Sequence, residues 1–165
     1  MNLPADSSAA LVERHRPEIL RYLVRLLGDQ DDAQDTCQDV FLRAHRAFGR
    51  LRADSNPRAW LYRIATNSAV NTARRRARRV ARAADADCDG FAGTSSSPED
   101  REELRAVVRA VEALPPRQRA ALVLRRFHGL GYAEIAASVG GTEASARANV
   151  YQAVKRLRAT LGGAR

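Results

Sequence analysis

Six residues at helical spacing, Trp60, Arg63, Asn67, Asn71, Arg74 and Arg78, carry groups suited to a polyanion. Separated by three or four positions, they fall on one stripe of a helix that turns about 100° per residue. Guanidinium groups bind phosphate, carboxamides bond base edges and aromatic faces stack on bases. A solvated helix face with a core tryptophan fits the same pattern, and the stripe alone does not choose. A second set has the opposite sign. Asp32, Asp35, Gln38 and Asp39 share a helix face with Leu42 in its middle. An apolar side chain among acids, on a chain otherwise basic, points to a protein partner with a basic surface. A third set, Ser145, Ala148, Asn149, Tyr151, Gln152, Lys155 and Arg156, lies on the outward side of one helix. Its small residues permit close approach to a groove, and its polar ones can bond base edges.

Catalytic chemistry finds little support. The three histidines, His15, His45 and His128, are scattered, and the two cysteines, Cys37 and Cys88, are wrongly spaced for zinc and too few for a disulfide framework. His15 reads as a packing or boundary residue and Cys37 as a small core residue. Asp29 to Gln34 faintly resemble a calcium loop. The sixth position is Gln34 rather than glycine and the twelfth Val40 rather than glutamate, which rejects it. Gly129-x-Gly131 follows a helix rather than a strand, so no phosphate loop is expected. No catalytic residue, cofactor or metal is expected.

The elements that position these residues are helical throughout. Few aromatics, few β-branched runs and abundant Ala, Leu and Arg predict an all-α chain of two small helical domains joined by a flexible linker, the second containing a helix-turn-helix. Of 28 basic residues against 19 acidic, all but Lys155 are arginine, and the net charge of +9 implies a polyanionic partner. The N-terminal MNLPADSSAA has neither the basic nor the apolar region of a secretory signal, and no apolar run has the length of a membrane span, so the chain is expected in the cytoplasm without membrane insertion.

Leu11, His15, Ile19, Tyr22, Leu23, Leu26 and Leu27 mark a first helix, in which Pro17 is expected to kink the segment or begin the main helix. Ala33, Cys37, Val40, Phe41 and Ala44 form the apolar face of a second, starting near Asp31. Asn56 and Pro57 are the start signals of a long third helix, with Leu61, Ile64, Ala65, Ser68 and Thr72 expected inward. It ends in RRRARRVAR. Residues 1–82 form the first domain and 83–100, small, acidic and Gly/Ser-rich, the linker. Residues 101–165 are the second domain. In it Leu104, Val107, Val108, Val111 and Leu114 mark one helix, and Pro115-Pro116 ends it and starts the next. A short helix over 132–138, a Gly140-Gly141 turn and a helix capped by Thr142 complete the helix-turn-helix.

Three blocks resemble the extracytoplasmic-function sigma factors, the smallest members of the bacterial sigma-70 class. DDAQDTCQDVFLRAHRAF is similar to the helix that docks on the polymerase clamp. PRAWLYRIATNSAVNTARRR is similar to the promoter-melting, −10-reading helix. LPPRQRAALVLRRFHGLGYAEIAASVGGTEASARANVYQAVKRLR is similar to region four, which reads the −35 element. The resemblance implies a non-enzymatic subunit that binds core RNA polymerase through Asp32, Asp35, Gln38, Asp39 and Leu42. It implies −10 contacts from Trp60 and Arg63, with Asn71 and Arg74 to Arg79, including Arg75 and Arg78, tracking phosphates. The Gly49–Pro57 loop with Arg52, and Asn67, would then hold a base flipped from the non-template strand. It implies −35 contacts from Thr142, Ser145, Arg147, Ala148, Asn149, Tyr151, Gln152, Lys155 and Arg156, and an anti-sigma factor as regulatory partner. Gly131 stands where the family often has a serine cap, and Asn149 where an arginine is common. A stand-alone helix-turn-helix regulator is the alternative; it explains residues 132–156 but neither the acidic face nor the Asn/Arg stripe.

Overall fold

The computed structural model describes residues 8–52, 54–82 and 98–162, with side chains at 98–101 excepted. Its elements are α1 (Ser8–Leu27), α2 (Gln30–Ala47), a 3-10 turn (Phe48–Arg50), α3 (Pro57–Arg82), α4 (Pro98–Glu112), α5 (Pro116–Phe127), α6 (Tyr132–Val139) and α7 (Glu143–Gly162). Among the described residues there is no strand.

The helix ends follow from local chemistry. Asp29 caps α2 by accepting the Asp32 N–H at 2.8 Å. Asn56 caps α3 in the same way, accepting the Ala59 N–H at 3.1 Å, with Pro57 at the first helical position. Pro17 lies inside α1 without ending it, so the main helix begins at Ser8 rather than at the proline. The ring removes one N–H bond, and the helix is held instead by the buried Leu11, Ile19, Tyr22 and Leu23 on either side. Likewise α4 begins at Pro98, within the stretch expected to be linker; proline suits a first turn, where its missing N–H has no intrahelical partner.

The first three helices pack as a unit. Tyr22, Leu23 and Ile19 of α1, Val40 and Ala33 of α2, and Leu61, Tyr62 and Ala65 of α3 are fully buried. Small residues along α3, among them Ala65, Ser68 and Ala69, let its neighbours approach closely. Two hydroxyl pairs fix the register, Thr36 with Thr72 at 3.0 Å and Tyr22 with Thr66 at 2.7 Å. Because Thr66 gives its single proton to the Tyr62 carbonyl at 2.7 Å, Tyr22 is the donor in that pair. Truncating a buried side chain such as Leu23 or Leu61 to alanine would cost about 2–5 kcal/mol.

The last four helices form a second unit. Its centre is Ala120, Ala121, Leu124, Leu130, Ile135, Val139 and Ala146. The expected inner face of α7 is buried at Ala146 and Ala153, while Val150, Val154, Leu157 and Leu161 are half-buried. On α4, Leu104 and Val107 remain exposed although their spacing marks an apolar face. The Gly140-Gly141 turn between α6 and α7 has φ of 81° and 120°, a region open to glycine and hostile to other residues.

The two units do not stand apart. α3 packs on α6 and α1 on α5, and the buried apolar residues form one continuous cluster from Leu11 to Ala146. None of the described helices is long and apolar enough to cross a membrane.

Candidate nucleic-acid and partner interfaces

The α3 stripe emerges as a graded surface. Arg63, Asn67 and Asn71 are exposed, as are Arg74, Arg75 and Arg78 on the distal turns. Trp60 is half-buried and packs against the core, so its ring serves packing and leaves only part of a face to solvent. Leu61, Ala65 and Ser68 lie inside as expected, Ile64 and Thr72 are half-buried, and Ala59, Tyr62, Thr66 and Ala69 join the buried side. Before α3, Arg52 is exposed and grips Asp54 through two bonds of 3.1 and 3.3 Å. Arg76 turns back toward α1 and α2, donating to the Leu27 carbonyl at 3.4 Å and lying 3.8 Å from the Asp32 carboxylate.

The acidic face of α2 divides accordingly. Asp32 is tied to Arg76, and Asp39 pairs with Arg43 at 2.9 Å. Asp35 and Gln38 are exposed, and Leu42 is 58% exposed beside them. An apolar side chain this open, with Asp35, Gln38 and Asp39 on the preceding turns, is suited to a basic protein surface with an apolar socket. On the opposite side of the same helix Cys37 is buried, and burial pushes its thiol above the ordinary range. Cys88 lies outside the described residues.

On α7 the N-terminal residues serve the helix first. Thr142 Oγ1 accepts the Ser145 N–H at 3.2 Å, and Ser145 Oγ accepts the Thr142 N–H at 3.0 Å while donating to its carbonyl at 2.7 Å. Both hydroxyls are thus engaged in a reciprocal cap. Gly131, lacking a capping side chain, is compensated by Glu134, which accepts the Gly131 N–H at 2.9 Å. Arg147 binds Glu143 at 3.1 Å and lies 4.7 Å from the Tyr132 ring centre, with Arg125 at 4.8 Å from the same ring. Ala148, Tyr151, Gln152, Lys155 and Arg156 are exposed, and Asn149 is half-buried. Together they offer a small-residue approach, two amides, a phenol and two cations along one surface.

One cluster carries no sequence signal. Glu18, Tyr22, Arg58, Tyr62 and His128 meet between α1, α3 and the turn after α5. Arg58 donates to Glu18 at 3.1 Å, and the Tyr62 hydroxyl donates to the same carboxylate at 3.2 Å. His128 Nδ1 lies 2.9 Å from that hydroxyl. With the tyrosine proton directed to Glu18, the imidazole must donate from Nδ1, which leaves Nε2 as an acceptor. That atom is buried and has no hydrogen-bond partner among the described residues. Tyr22, Tyr62 and His128 stack edge to face with centroids 5.1 to 5.6 Å apart.

The electrostatics follow the packing. Burial raises the Glu18 carboxyl, yet Arg58 and His15, which is 2.5 Å away, outweigh it and hold the group below its ordinary value. Burial, then the Glu18 charge, pushes the Tyr62 phenol well above its ordinary range. Burial, then the nearby Arg25, lowers His128 to about 4, against the opposing pull of Glu18. Five residues spread over more than a hundred positions share no motif; only the tertiary fold assembles them.

Comparison with known proteins bears on all of these surfaces. Residues 11–79 match the Sigma-70 region 2 family, and residues 104–157 match Sigma-70, region 4. The chain is similar to the RNA polymerase sigma-H factor of Pseudomonas aeruginosa, 36% identical over 154 residues covering 87% of this chain and 80% of that protein. It is 33% identical over 152 residues to the ECF RNA polymerase sigma factor SigE of Mycolicibacterium smegmatis, covering 90% of this chain and 59% of the relative. In structure it resembles the sigma factor RpoE from Bartonella quintana, solved in complex with the anti-sigma factor NepR. The TM-score is 0.71 at 25% identity, over 93% of this chain and 96% of that one.

Proposed function

We propose, from the premise that this chain belongs to the extracytoplasmic-function sigma factors of the sigma-70 class, a division of labour among its three exposed faces. A chain of this family binds core RNA polymerase and directs it to initiate transcription at promoters. The α2 face, with Asp35, Gln38, Asp39 and Leu42 and with Asp32 at its edge, is the polymerase-docking surface. Residues 49–57 with Arg52, and the α3 stripe of Trp60, Arg63, Asn67 and Asn71, read and open the −10 element. Arg74, Arg75 and Arg78 hold the strand's phosphates. The outward face of α7, from Thr142 to Arg156, sits in the −35 major groove. There Ala148, Asn149, Tyr151 and Gln152 meet base edges, and Arg147, Lys155 and Arg156 meet phosphates. Thr142 and Ser145 act mainly by capping the helix and aligning its backbone N–H groups.

The observation that carries this reading is the exposed amide and guanidinium row on α3, on a chain that also presents Leu42 among carboxylates. A DNA-binding regulator acting alone has use for α7 but none for that second pair of surfaces. The chain performs no catalysis of its own, works in the cytoplasm and is held in check by an anti-sigma factor, as the Bartonella relative is solved with one. Run-off transcription with purified core polymerase on a promoter library tests it. Specific transcripts should require both components. Tight, specific binding to duplex DNA by the chain alone, with no polymerase-dependent transcript, would return the reading to a stand-alone regulator.

A further inference from the structure

The outward face of α7 is unevenly equipped for reading bases. Its inner side is set by Ala146, Val150, Ala153, Val154, Leu157 and Leu161, all buried or half-buried. At about 100° per residue, the direction opposite them passes beside Ala148, with Gln152 and Lys155 about 30° to either side. Arg147 and Asn149 lie about 90° or more round the helix, on its two flanks. Asn149 is accordingly half-buried. Arg147 is also engaged: it donates to Glu143 at 3.1 Å, and its guanidinium lies 4.7 Å from the Tyr132 ring centre on α6. Arg125 lies 4.8 Å from the same ring. A cation held beside α6, at the edge of the helix, is placed for a phosphate strand rather than for the groove floor. Ser145 is near the outward centre too, but its hydroxyl is taken up by the Thr142 N–H and carbonyl.

Gln152 is left as the uncharged hydrogen-bonding group nearest the outward centre. It is exposed, and among the described residues its carboxamide has no hydrogen-bond partner. Ala148, one turn before it, has no side chain beyond Cβ to hold the helix axis away from a groove. Lys155 shares the face but sits about 4.5 Å farther along the axis, away from the N-terminal turns that contact base edges in this motif. Its ammonium is a flexible point charge without a bidentate edge. A carboxamide presents one acceptor and one donor side by side. In the major groove adenine shows the matching pair, the N6 amino donor beside the N7 acceptor. Guanine shows two acceptors there and would set its O6 against the carboxamide oxygen.

We propose that Gln152 is a specificity-determining residue of the −35 contact and that it selects adenine. Its oxygen accepts from N6 and its amino group donates to N7 of one base, while Arg147, Lys155 and Arg156 hold the phosphates around it. The proposal rests on the sigma-factor reading and deepens it by naming the base.

Transcription by core polymerase carrying the full chain, from a library randomised over the −35 region with the −10 region held constant, tests this. Parental transcripts should favour adenine, on one strand, at one −35 position by about fivefold to a hundredfold. Gln152→Ala should flatten that position alone, and Gln152→Arg, which offers two donors, should turn it to guanine. A general loss of packing would weaken every position together, so a change at a single position separates base reading from a structural role. A second measurement needs only the parent. Replacing the selected adenine by 7-deazaadenine removes the N7 acceptor and should lower transcription about tenfold. A parent with no adenine-selected position, an adenine preference surviving in Gln152→Ala, or full activity on 7-deazaadenine would overturn the assignment. No polymerase-dependent transcript from any member of the library would instead count against the sigma-factor reading, and the assignment would fall with it.

Discussion

At the scale of single residues, Asn67 shows how chemistry and placement combine. Its carboxamide offers donor and acceptor together and is exposed one turn beyond Arg63 on a helix fixed by Leu61 and Ala65. A charged side chain there would seek phosphate, whereas an amide can bond the edge of an extruded base. Asn67→Ala should therefore keep polymerase binding and upstream recognition yet lose about 1–3 kcal/mol of open-complex stability. Permanganate footprinting should show reduced melting on duplex DNA and partial recovery on a template already open at the −10 region. Full melting by the variant, with unchanged base preference, would remove Asn67 from the site. Its place on an exposed stripe was legible in the sequence because its neighbours at i−4 and i+4 continue that stripe. Trp60 was legible only in part, since a stripe of side chains says nothing about which members lean toward the core. His128 was not legible at all: its partners Glu18, Tyr22, Arg58 and Tyr62 come from two other helices.

At the scale of elements, amphipathic spacing placed the helices well, because period and caps are local properties. Asn56 and Thr142 cap as the sequence implies, whereas Asp29 caps a helix that begins at Gln30 rather than near Asp31. Pro17 is the instructive exception. A helix flanked by buried Leu11 and Ile19 tolerates the loss of one backbone bond, and no local rule weighs that burial. The apolar spacing of α4 likewise overstates its burial, for Leu104 and Val107 meet no core in this fold. On α2 the structure refines which acids are available. Asp35 is exposed, but Asp39 shares its charge with Arg43 and Asp32 with Arg76. Asp39→Arg with Leu42→Ala should then act twice, removing the proposed apolar anchor and placing a second cation beside Arg43 on the face proposed to meet a basic partner. Like-charge juxtaposition across an interface costs several kcal/mol. Co-purification with core polymerase should be abolished, while thermal unfolding changes little because both side chains lie on the surface. Undiminished co-purification would exclude α2 as the docking helix.

At the scale of the whole molecule, the sequence resolved two units but not their relation, because a contact between distant elements leaves no periodicity behind. The buried imidazole at that contact makes the relation sensitive to acid. His128 is faced by Glu18, Arg21, Tyr22 and Arg25 of α1 and by Arg58 and Tyr62 of α3. Burial and the arginines disfavour its protonated form and Glu18 favours it, with a net lowering to about 4 in the closed state. Once the units separate, the ring returns to the ordinary value of about 6.5. The open state therefore binds the proton more tightly than the closed one, and closure is weakened as pH falls below about 6.5 toward 4. Above pH 6.5 the neutral ring contributes its full share to closure. Glu18, held below its ordinary value, stays ionised through the upper part of this window and does not produce the change. Lowering the pH from 7.5 to 5.5 should raise the open fraction relative to the closed by at most about tenfold. Scattering would record this as an increase in radius of gyration at constant helix content. His128→Gln keeps a donor for Tyr62 but has no proton to gain, so its dimensions should not respond to pH over that interval. His15 and His45 remain in that variant as internal controls. A parental pH response surviving in His128→Gln would assign the effect to another group, and a parent insensitive to pH would mean that opening does not release His128 to water.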